Sequence, residues 1–134
     1  MQTKEKKFVT LPTVDKVKAI IGWLEEKKAR DIVAYDLAGQ SPFAEALVIV
    51  TAGSVRHGQS LADHMLAMCN ENNYEYLRME GYQTGQWILV DLNDIIVNVF
   101  QPETRGLFKL ESLWAKAPVL HDGRGEAAGG DDDL

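Results

Sequence analysis

Residues 80–100 read EGYQTGQWILVDLNDIIVNVF, a polar loop followed by two aliphatic runs that are separated by Leu-Asn-Asp. Asn93 and Asp94 both tolerate the positive φ angles of a tight turn, so this stretch predicts an antiparallel β-hairpin. Because side chains alternate across a strand, the turn position decides which residues share a face. One face is then wholly aliphatic. Its pairs are Leu92 with Ile95, Val90 with Val97, and Ile88 with Val99.

The opposite face of the predicted hairpin mixes large apolar side chains with two polar ones. Its pairs are Asp91 with Ile96, Leu89 with Asn98, and Trp87 with Phe100. This mixture is too polar for a dry core and too apolar for an ordinary solvated surface, which is typical of a protein-binding patch. The alternative is that the final helix covers this face. We treat the six residues as a candidate partner-binding face anchored by Trp87 and Phe100, and we add Tyr82 of the preceding loop.

The rest of the chain alternates between helical and extended patterns. Thr13 can cap a first helix, and Ser54 can cap a second helix that ends at Asn72-Asn73. Pro102 marks the start of a short final helix in which Leu107, Leu110, Leu113 and Trp114 form the apolar positions. Further strands are predicted at 31–37, 46–53 and 75–81.

The predicted element order, αββαβββα, indicates an α/β fold with a mixed five-stranded sheet flanked by helices. The strand at 46–53 is an aliphatic run, as expected of a central strand that is covered on both faces. This strand, the second helix and the strand at 75–81 form a right-handed crossover, which would place the two strands parallel. The last two strands pair antiparallel through the hairpin turn.

Composition divides the 134 residues into one domain at 13–117, a flexible N-terminus at 1–12 and a tail at 118–134. The formal net charge is −6, but residues 119–134 contribute −4 of it. Because this acidic, Gly-rich tail has few bulky apolar residues, we expect it to be disordered. The nearly neutral domain has no basic stripe, which argues against direct nucleic-acid binding and favours a basic protein as partner.

No apolar run approaches the roughly 20 residues that a membrane helix needs, and no signal-like apolar stretch follows the N-terminal lysines. The single cysteine, Cys69, excludes an intrachain disulfide and fits a reducing compartment. We therefore expect a soluble cytoplasmic protein that does not contact membranes. We expect no cofactor.

Three features could indicate chemistry, and each has a simpler explanation. Asp91 and Asp94 could be catalytic carboxylates, but a tight turn explains both. Metal-dependent nucleotidyl transfer needs carboxylates that converge on metal ions, and no Asp-x-Asp follows the plausible anion-binding corner at Gly53-Ser54. His57 and His64 would be separated by a rise of about 10.5 Å on a helix, too far for one zinc ion. We predict no catalytic or metal-binding residues.

Seven short motifs follow one another along the chain. They are DIVAYD (31–36), TAGSVRH (51–57), ADH (62–64), EG (80–81), WILVD (87–91), DIIV (94–97) and RGLFKLESLW (105–114). Together they resemble the ribosomal silencing factor family, also called the Iojap-related proteins, over residues 14–115. The resemblance implies a nucleotidyltransferase-like fold without catalytic residues. It also implies a non-enzymatic factor that binds ribosomal protein fourteen of the large subunit and blocks joining of the small subunit when nutrients are scarce.

Three positions depart from the family pattern. The family often has an acidic-aromatic pair where this chain has Glu45-Ala46, a histidine where it has Asn98, and a bulky residue where it has Gly106. Since Asn98 lies on the candidate face, the contact chemistry is expected to differ locally. Two alternatives stay open, a metal-dependent nucleotidyltransferase-like enzyme and a self-associating structural module. A homodimer of the free silencing factor is also compatible with the sequence.

Overall fold

A computed structural model describes residues 8–125. In chain order the elements are α1 (Thr13–Glu26), β1 (Arg30–Asp36), β2 (Ala46–Thr51), α2 (Val55–Asn72), β3 (Arg78–Glu80), β4 (Trp87–Asp91), β5 (Ile95–Phe100), α3 (Pro102–Phe108), α4 (Leu110–Leu113) and β6 (Val119–Asp122). The strands form one mixed sheet in the order β3-β4-β5-β2-β1-β6. The β2–β5 pair is parallel, and the other four neighbouring pairs are antiparallel.

The hairpin has the register that side-chain alternation predicts. Trp87 lies opposite Phe100 at the open end, and Asp91 lies opposite Ile96 beside the turn. Asn93 has a φ of 78°, the left-handed conformation expected in a tight turn. The predicted register and turn position are both confirmed.

The aliphatic face of the hairpin lies in the main core, together with α1 and α2. The largest fully buried members of this core are Ile20, Leu24, Leu61, Met65, Ile88, Leu92 and Ile95. All six residues of β2 are buried, as expected of a central strand that is covered on both faces. The prediction of a mixed α/β sheet with an aliphatic central strand is therefore confirmed.

A second, smaller cluster lies on the opposite face of the sheet. Its buried members are Val33, Tyr35, Leu37, Leu47, Ile49, Phe100 and Ala117. Leu110 of α4 and Trp114, which follows α4, pack against this cluster. The final helical segment therefore covers Phe100, which was the alternative to a fully exposed face.

Two helix predictions need correction. Thr13 is the first residue of α1 and not its cap, since its hydroxyl donates to the Glu45 carboxylate. The predicted final helix is interrupted at Lys109, whose φ is 48°, so α3 and α4 are separate. The second helix agrees with prediction. The Ser54 hydroxyl oxygen accepts a first-turn backbone N–H at 3.0 Å, and Asn73 ends the helix with a φ of 61°.

The sheet has six strands and not five, because β6 forms within the predicted disordered tail. β6 pairs antiparallel with β1, and just beyond it the Gly123 amide donates to the Ile32 carbonyl at 2.7 Å. Leu120 of β6 packs against the main core. These backbone hydrogen bonds order a segment whose composition is poor in apolar residues. The predicted tail beyond Gly125, and residues 1–7 of the predicted flexible N-terminus, lie outside the described residues.

The crossover and the N-terminal segment also differ in detail from the prediction. β2 and β3 run in the same direction, as the crossover predicts, but β4 and β5 lie between them.

Before α1, the Val9 amide donates to the Asn73 carbonyl at 2.9 Å. The Val9 side chain packs against the main core. Contacts of the described chain therefore begin before residue 13.

Truncation after Pro118 is expected to destabilise the domain, because it removes β6, its hydrogen bonds to β1 and the Leu120 contact. A net hydrogen bond contributes about 1 kcal/mol, so the free energy of unfolding, measured by urea titration, should fall by about 1–3 kcal/mol. Termination after Gly125 is the matched control, since it keeps every described residue. Equal urea midpoints for the two truncated chains would contradict a stabilising role for β6.

Candidate partner-binding surface

Trp87 lies at the centre of a three-ring cluster on the outer face of the hairpin, stacked on Phe100 and tilted against Phe108. Its ring centroid lies 4.9 Å from that of Phe100 and 5.1 Å from that of Phe108. The indole N–H donates to Oδ1 of Asn98 at 2.9 Å, and the Asn98 side-chain amide donates to the Val48 carbonyl at 3.3 Å. These contacts connect α3 to the sheet and hold the indole in one orientation.

Only part of the predicted partner-binding face is accessible. Phe100 and Asn98 are 0% and 1% exposed, so neither side chain can reach a partner. Trp87, Leu89 and Ile96 are half-buried and remain at the surface. The prediction that Phe100 is an exposed anchor is therefore wrong. Phe100 and Asn98 instead support Trp87, by stacking and by a hydrogen bond.

Asp91 and Asp94 both have structural partners. Oδ1 of Asp91 accepts the Asn93 amide at 2.9 Å, which closes the turn, and Arg78 lies 3.8 Å from Oδ2. Oδ2 of Asp94 lies 2.6 Å from Nζ of Lys16. The turn explanation is confirmed for Asp91, whereas Asp94 links the turn to α1. With 9% exposure, Asp91 presents little surface to a partner.

Tyr82 lies on the other side of the sheet from Trp87. Its ring packs against the main core, and its hydroxyl donates to Asp63 of α2 at 2.9 Å. This hydrogen bond to a carboxylate raises the pKa of the Tyr82 hydroxyl. The Gln59 side chain donates to the Tyr82 carbonyl at 2.8 Å. Tyr82 thus attaches the preceding loop to α2, and the structure does not bring it to the Trp87 face.

The segment formed by α3 and α4 has its apolar side chains on the outside. Neither helix contains a buried residue. Leu107, Leu113 and Phe108 are instead 73%, 69% and 53% exposed. An exposed apolar group of this kind marks an interaction site. The helical spacing of the leucines predicted a helix packed on the sheet. The sequence therefore did not identify Leu107 and Leu113 as surface residues.

Six side chains therefore define a candidate partner-binding surface, which we call the hairpin–helix surface. They are Trp87, Leu89, Ile96, Leu107, Phe108 and Leu113. The contact between Phe108 and Trp87 joins the part on α3 to the part on the hairpin. Three of the six come from the predicted face, and three come from the final helical segment.

The plausible anion-binding corner is closed by the protein's own contacts. The Gly53 amide donates to Nδ1 of His57 at 2.8 Å, and the His57 amide donates to the Ser54 hydroxyl oxygen. The Gln101 side chain donates to the carbonyls of Ser54 and Gly85, at 2.9 and 3.1 Å. These backbone N–H groups at the start of α2 are thus engaged and do not point at a phosphate site.

The remaining chemically notable side chains also have structural partners. Nε2 of His57 lies 2.7 Å from the Lys27 carbonyl, and Nε2 of His64 lies 3.0 Å from Glu26. Burial raises the pKa of the Cys69 thiol to about 12, so the reactive thiolate is scarce at neutral pH. The described part of the chain contains no metal-holding group of His, Cys, Asp and Glu, and no described helix is long and apolar enough to cross a membrane.

Asp91→Asn and Asp94→Asn are each expected to lower the free energy of unfolding by at most about 1 kcal/mol, measured by urea titration. The amide that replaces the Asp91 carboxylate keeps an oxygen for the turn, and partly exposed ion pairs such as that of Asp94 contribute about 1 kcal/mol or less. We also expect no transfer from a nucleoside triphosphate with Mg²⁺ in the parent protein. Metal-dependent incorporation that either substitution abolishes would contradict the structural assignment.

One family model and several known proteins are similar to this chain. The model, described as ribosomal silencing factor during starvation, matches residues 10–132. Ribosomal silencing factor RsfS of Bacillus subtilis is 36% identical over 95 residues, which cover 71% of this chain and 80% of that protein. A crystal structure of a Chromobacterium violaceum protein matches with a TM-score of 0.76 at 28% identity, over 78% of this chain and 88% of that one.

A mouse protein extends the similarity beyond bacteria. It is named mitochondrial assembly of ribosomal large subunit protein 1 and is 26% identical over 98 residues. The match covers 71% of this chain and 43% of the mouse protein. The names of these relatives refer consistently to the ribosome.

Proposed function

Because this chain belongs to the ribosomal silencing factor family, we propose that it represses translation by binding the large ribosomal subunit and blocking its association with the small subunit. The family acts in translation as a ribosome-silencing regulator and not as an enzyme. The finer proposal is that this chain binds ribosomal protein fourteen of the large subunit, in the cytoplasm and mainly under nutrient limitation. The description of the family model, which refers to starvation, supports the last point.

The observation that carries the proposal is the exposure of the hairpin–helix surface. Leu107 and Leu113 are more than two-thirds exposed, and the helices to which they belong bury no residue. Removal of apolar area from water is favourable by about 25 cal/mol per Å² before the costs of association are subtracted, so this surface favours docking. Trp87 is already oriented by its stacking partners and its hydrogen bond, which lowers the entropy lost on binding.

Charge supports a protein partner and not ribosomal RNA. Residues 8–125 contain 15 acidic and 11 basic side chains. This acidic balance disfavours the phosphate backbone, for which binding depends on Lys and Arg contacts. It suits a basic ribosomal protein, because opposite charges accelerate association. The resemblance of the motifs implies that the basic partner is ribosomal protein fourteen. In the free protein the same surface would form the contact of a homodimer.

Tagged protein in a lysate is expected to sediment with free large subunits and not with small subunits or joined ribosomes. The reason is that an occupied large subunit would be unable to accept the small subunit. Sucrose-gradient sedimentation with detection of the tag in each fraction measures the distribution. Comparable recovery in the joined-ribosome fraction would contradict the blocking mechanism while leaving ribosome binding itself in place.

Leu107→Ser and Leu113→Ser are each expected to weaken binding to purified ribosomal protein fourteen by roughly 30-fold. Truncation of a side chain at the centre of an interface costs about 2 kcal/mol, which corresponds to that factor. Because both leucines are exposed in the free protein, the free energy of unfolding should change by less than about 0.5 kcal/mol. Titration calorimetry and urea titration measure the two quantities.

Phe43→Ser is the matched control for these substitutions. Phe43 is 81% exposed, and it lies in the loop before β2, at the opposite end of the β2–β5 pair from α3. Its replacement should leave the affinity unchanged. Equal affinity of the wild-type protein and both leucine variants would show that the hairpin–helix surface is not the docking site.

A further inference from the structure

Arg105 joins four elements of the fold through one guanidinium group. Nη1 donates to the Asp31 carbonyl of β1 at 2.6 Å and to the Thr51 hydroxyl of β2 at 2.8 Å. Nε donates to Oε2 of Glu111 in α4 at 2.7 Å, and Nη2 forms an ion pair with the same oxygen at 2.6 Å without making a hydrogen bond. Since Arg105 itself belongs to α3, these contacts connect both final helices to the sheet. We call Arg105, Glu111, Asp31 and Thr51 the Arg105 network.

The charges of this network are largely removed from water. The side chains of Arg105 and Glu111 are 10% and 17% exposed. A charge in such a position is unfavourable unless it is paired and hydrogen-bonded, and hydrogen bonds between charged groups are stronger than neutral ones. Loss of either partner would leave the other charge without compensation. The pair therefore strongly favours the one arrangement in which both charges are matched.

Apolar packing of α3 and α4 is weak by comparison. Neither helix contains a buried residue, and Leu110 and Trp114 are only partly buried against the second cluster. Helices this short are not stable alone. Lys109, between them, has a φ of 48°, a conformation that is unfavourable for a residue other than glycine. Besides the contact between Phe108 and Trp87, the orientation of the two helices therefore depends largely on their polar contacts with the sheet.

The backbone of β1 is shaped to receive the guanidinium. Asp31 has a φ of 50° and lies where the β1–β2 register shifts, between Arg30 and Val33. An irregularity of this kind redirects backbone groups away from the neighbouring strand. Here the Asp31 carbonyl accepts from Arg105, and the Asp31 carboxylate accepts the Gly125 amide at 3.2 Å. The network thus uses a backbone feature that a regular strand would lack.

From these contacts we infer that Arg105 is a positioning residue for the hairpin–helix surface. Its network holds α3 and α4 in the orientation that directs Leu107, Phe108 and Leu113 outward. Arg105 does not itself contact the partner, because its side chain is turned into the protein. The inference rests on the proposed function, since the affinity that it controls is the affinity for ribosomal protein fourteen.

Trypsin cleavage after Lys109 and Lys116 tests the positioning role without any ribosomal component. Both lysines are exposed, but cleavage requires local opening of the segment. Arg105→Gln removes the charge and leaves both cleavage sites, so we expect cleavage there to accelerate about tenfold or more. Cleavage after Lys18 in α1 reports opening of the whole domain and should stay unchanged. An equal increase at Lys18 would overturn the inference, because Arg105 would then support the fold as a whole.

Graded variants separate positioning from general damage. Arg105→Lys keeps a charge for Glu111 but cannot reach all partners at once, so it should restore part of the wild-type behaviour. Thr51→Val removes one hydrogen bond and should accelerate cleavage only a few-fold. The double variant that combines Arg105→Gln with Glu111→Gln contains no unpaired charge. The segment should therefore be no more open in it than in Arg105→Gln alone.

The same proteins are then titrated with purified ribosomal protein fourteen. We expect the affinity to fall about tenfold or more for Arg105→Gln and to recover in part for Arg105→Lys, in the order of the cleavage rates. Unchanged cleavage after Lys109 in Arg105→Gln would overturn the inference, and so would faster cleavage with unchanged affinity. If wild-type protein does not bind, the proposed function fails, and the cleavage rates alone decide whether Arg105 holds the segment.

Discussion

The alternation of side chains along β4 and β5 is the constraint on which the rest of the structure depends. Because the period is two residues, a slip of one residue would move the aliphatic set from the core to the opposite face. Burial of Ile88 and Val97 under α1 and α2 excludes that slip. The same register places Trp87, Asn98 and Phe100 together on the second face. What covers that face then decides what the protein can bind.

The two final helices, α3 and α4, cover the second face of the sheet only in part, and charged side chains attach them to it. α3 and α4 bury Phe100 but leave Trp87 half exposed, and their charged contact with the sheet is the Arg105 network. Arg105 and Glu111 thus face inward while Leu107 and Leu113 face outward, the reverse of the pattern on an ordinary surface helix. In the isolated chain this arrangement sacrifices hydrophobic stabilisation. It becomes favourable when a partner covers the leucines, as expected of a protein that acts by docking.

The sequence predicted the features that depend on local periodicity and failed where distant contacts decide. Hairpin register and the Ser54 cap follow from neighbouring residues, and both are confirmed. The Thr13 hydroxyl binds Glu45, which no local pattern reveals. β6 is held mainly by backbone hydrogen bonds, which composition does not report. Tyr82 precedes the hairpin but packs on the side of α2, because the loop reverses direction before Trp87.

In the final helical segment, the backbone conformation of one residue, Lys109, decides whether the leucines are buried or exposed. Residues at positions i and i+6 lie about 120° apart around a continuous helix, so Arg105 and Glu111 would point in different directions. The left-handed Lys109 breaks the helix, and the two charges meet against the sheet. The same break separates Leu107 from Leu110, Leu113 and Trp114, so these four residues do not form the apolar stripe of one helix, and Leu107 and Leu113 face solvent. The backbone conformation at Lys109 therefore produces the inward charge pair and the outward apolar surface together.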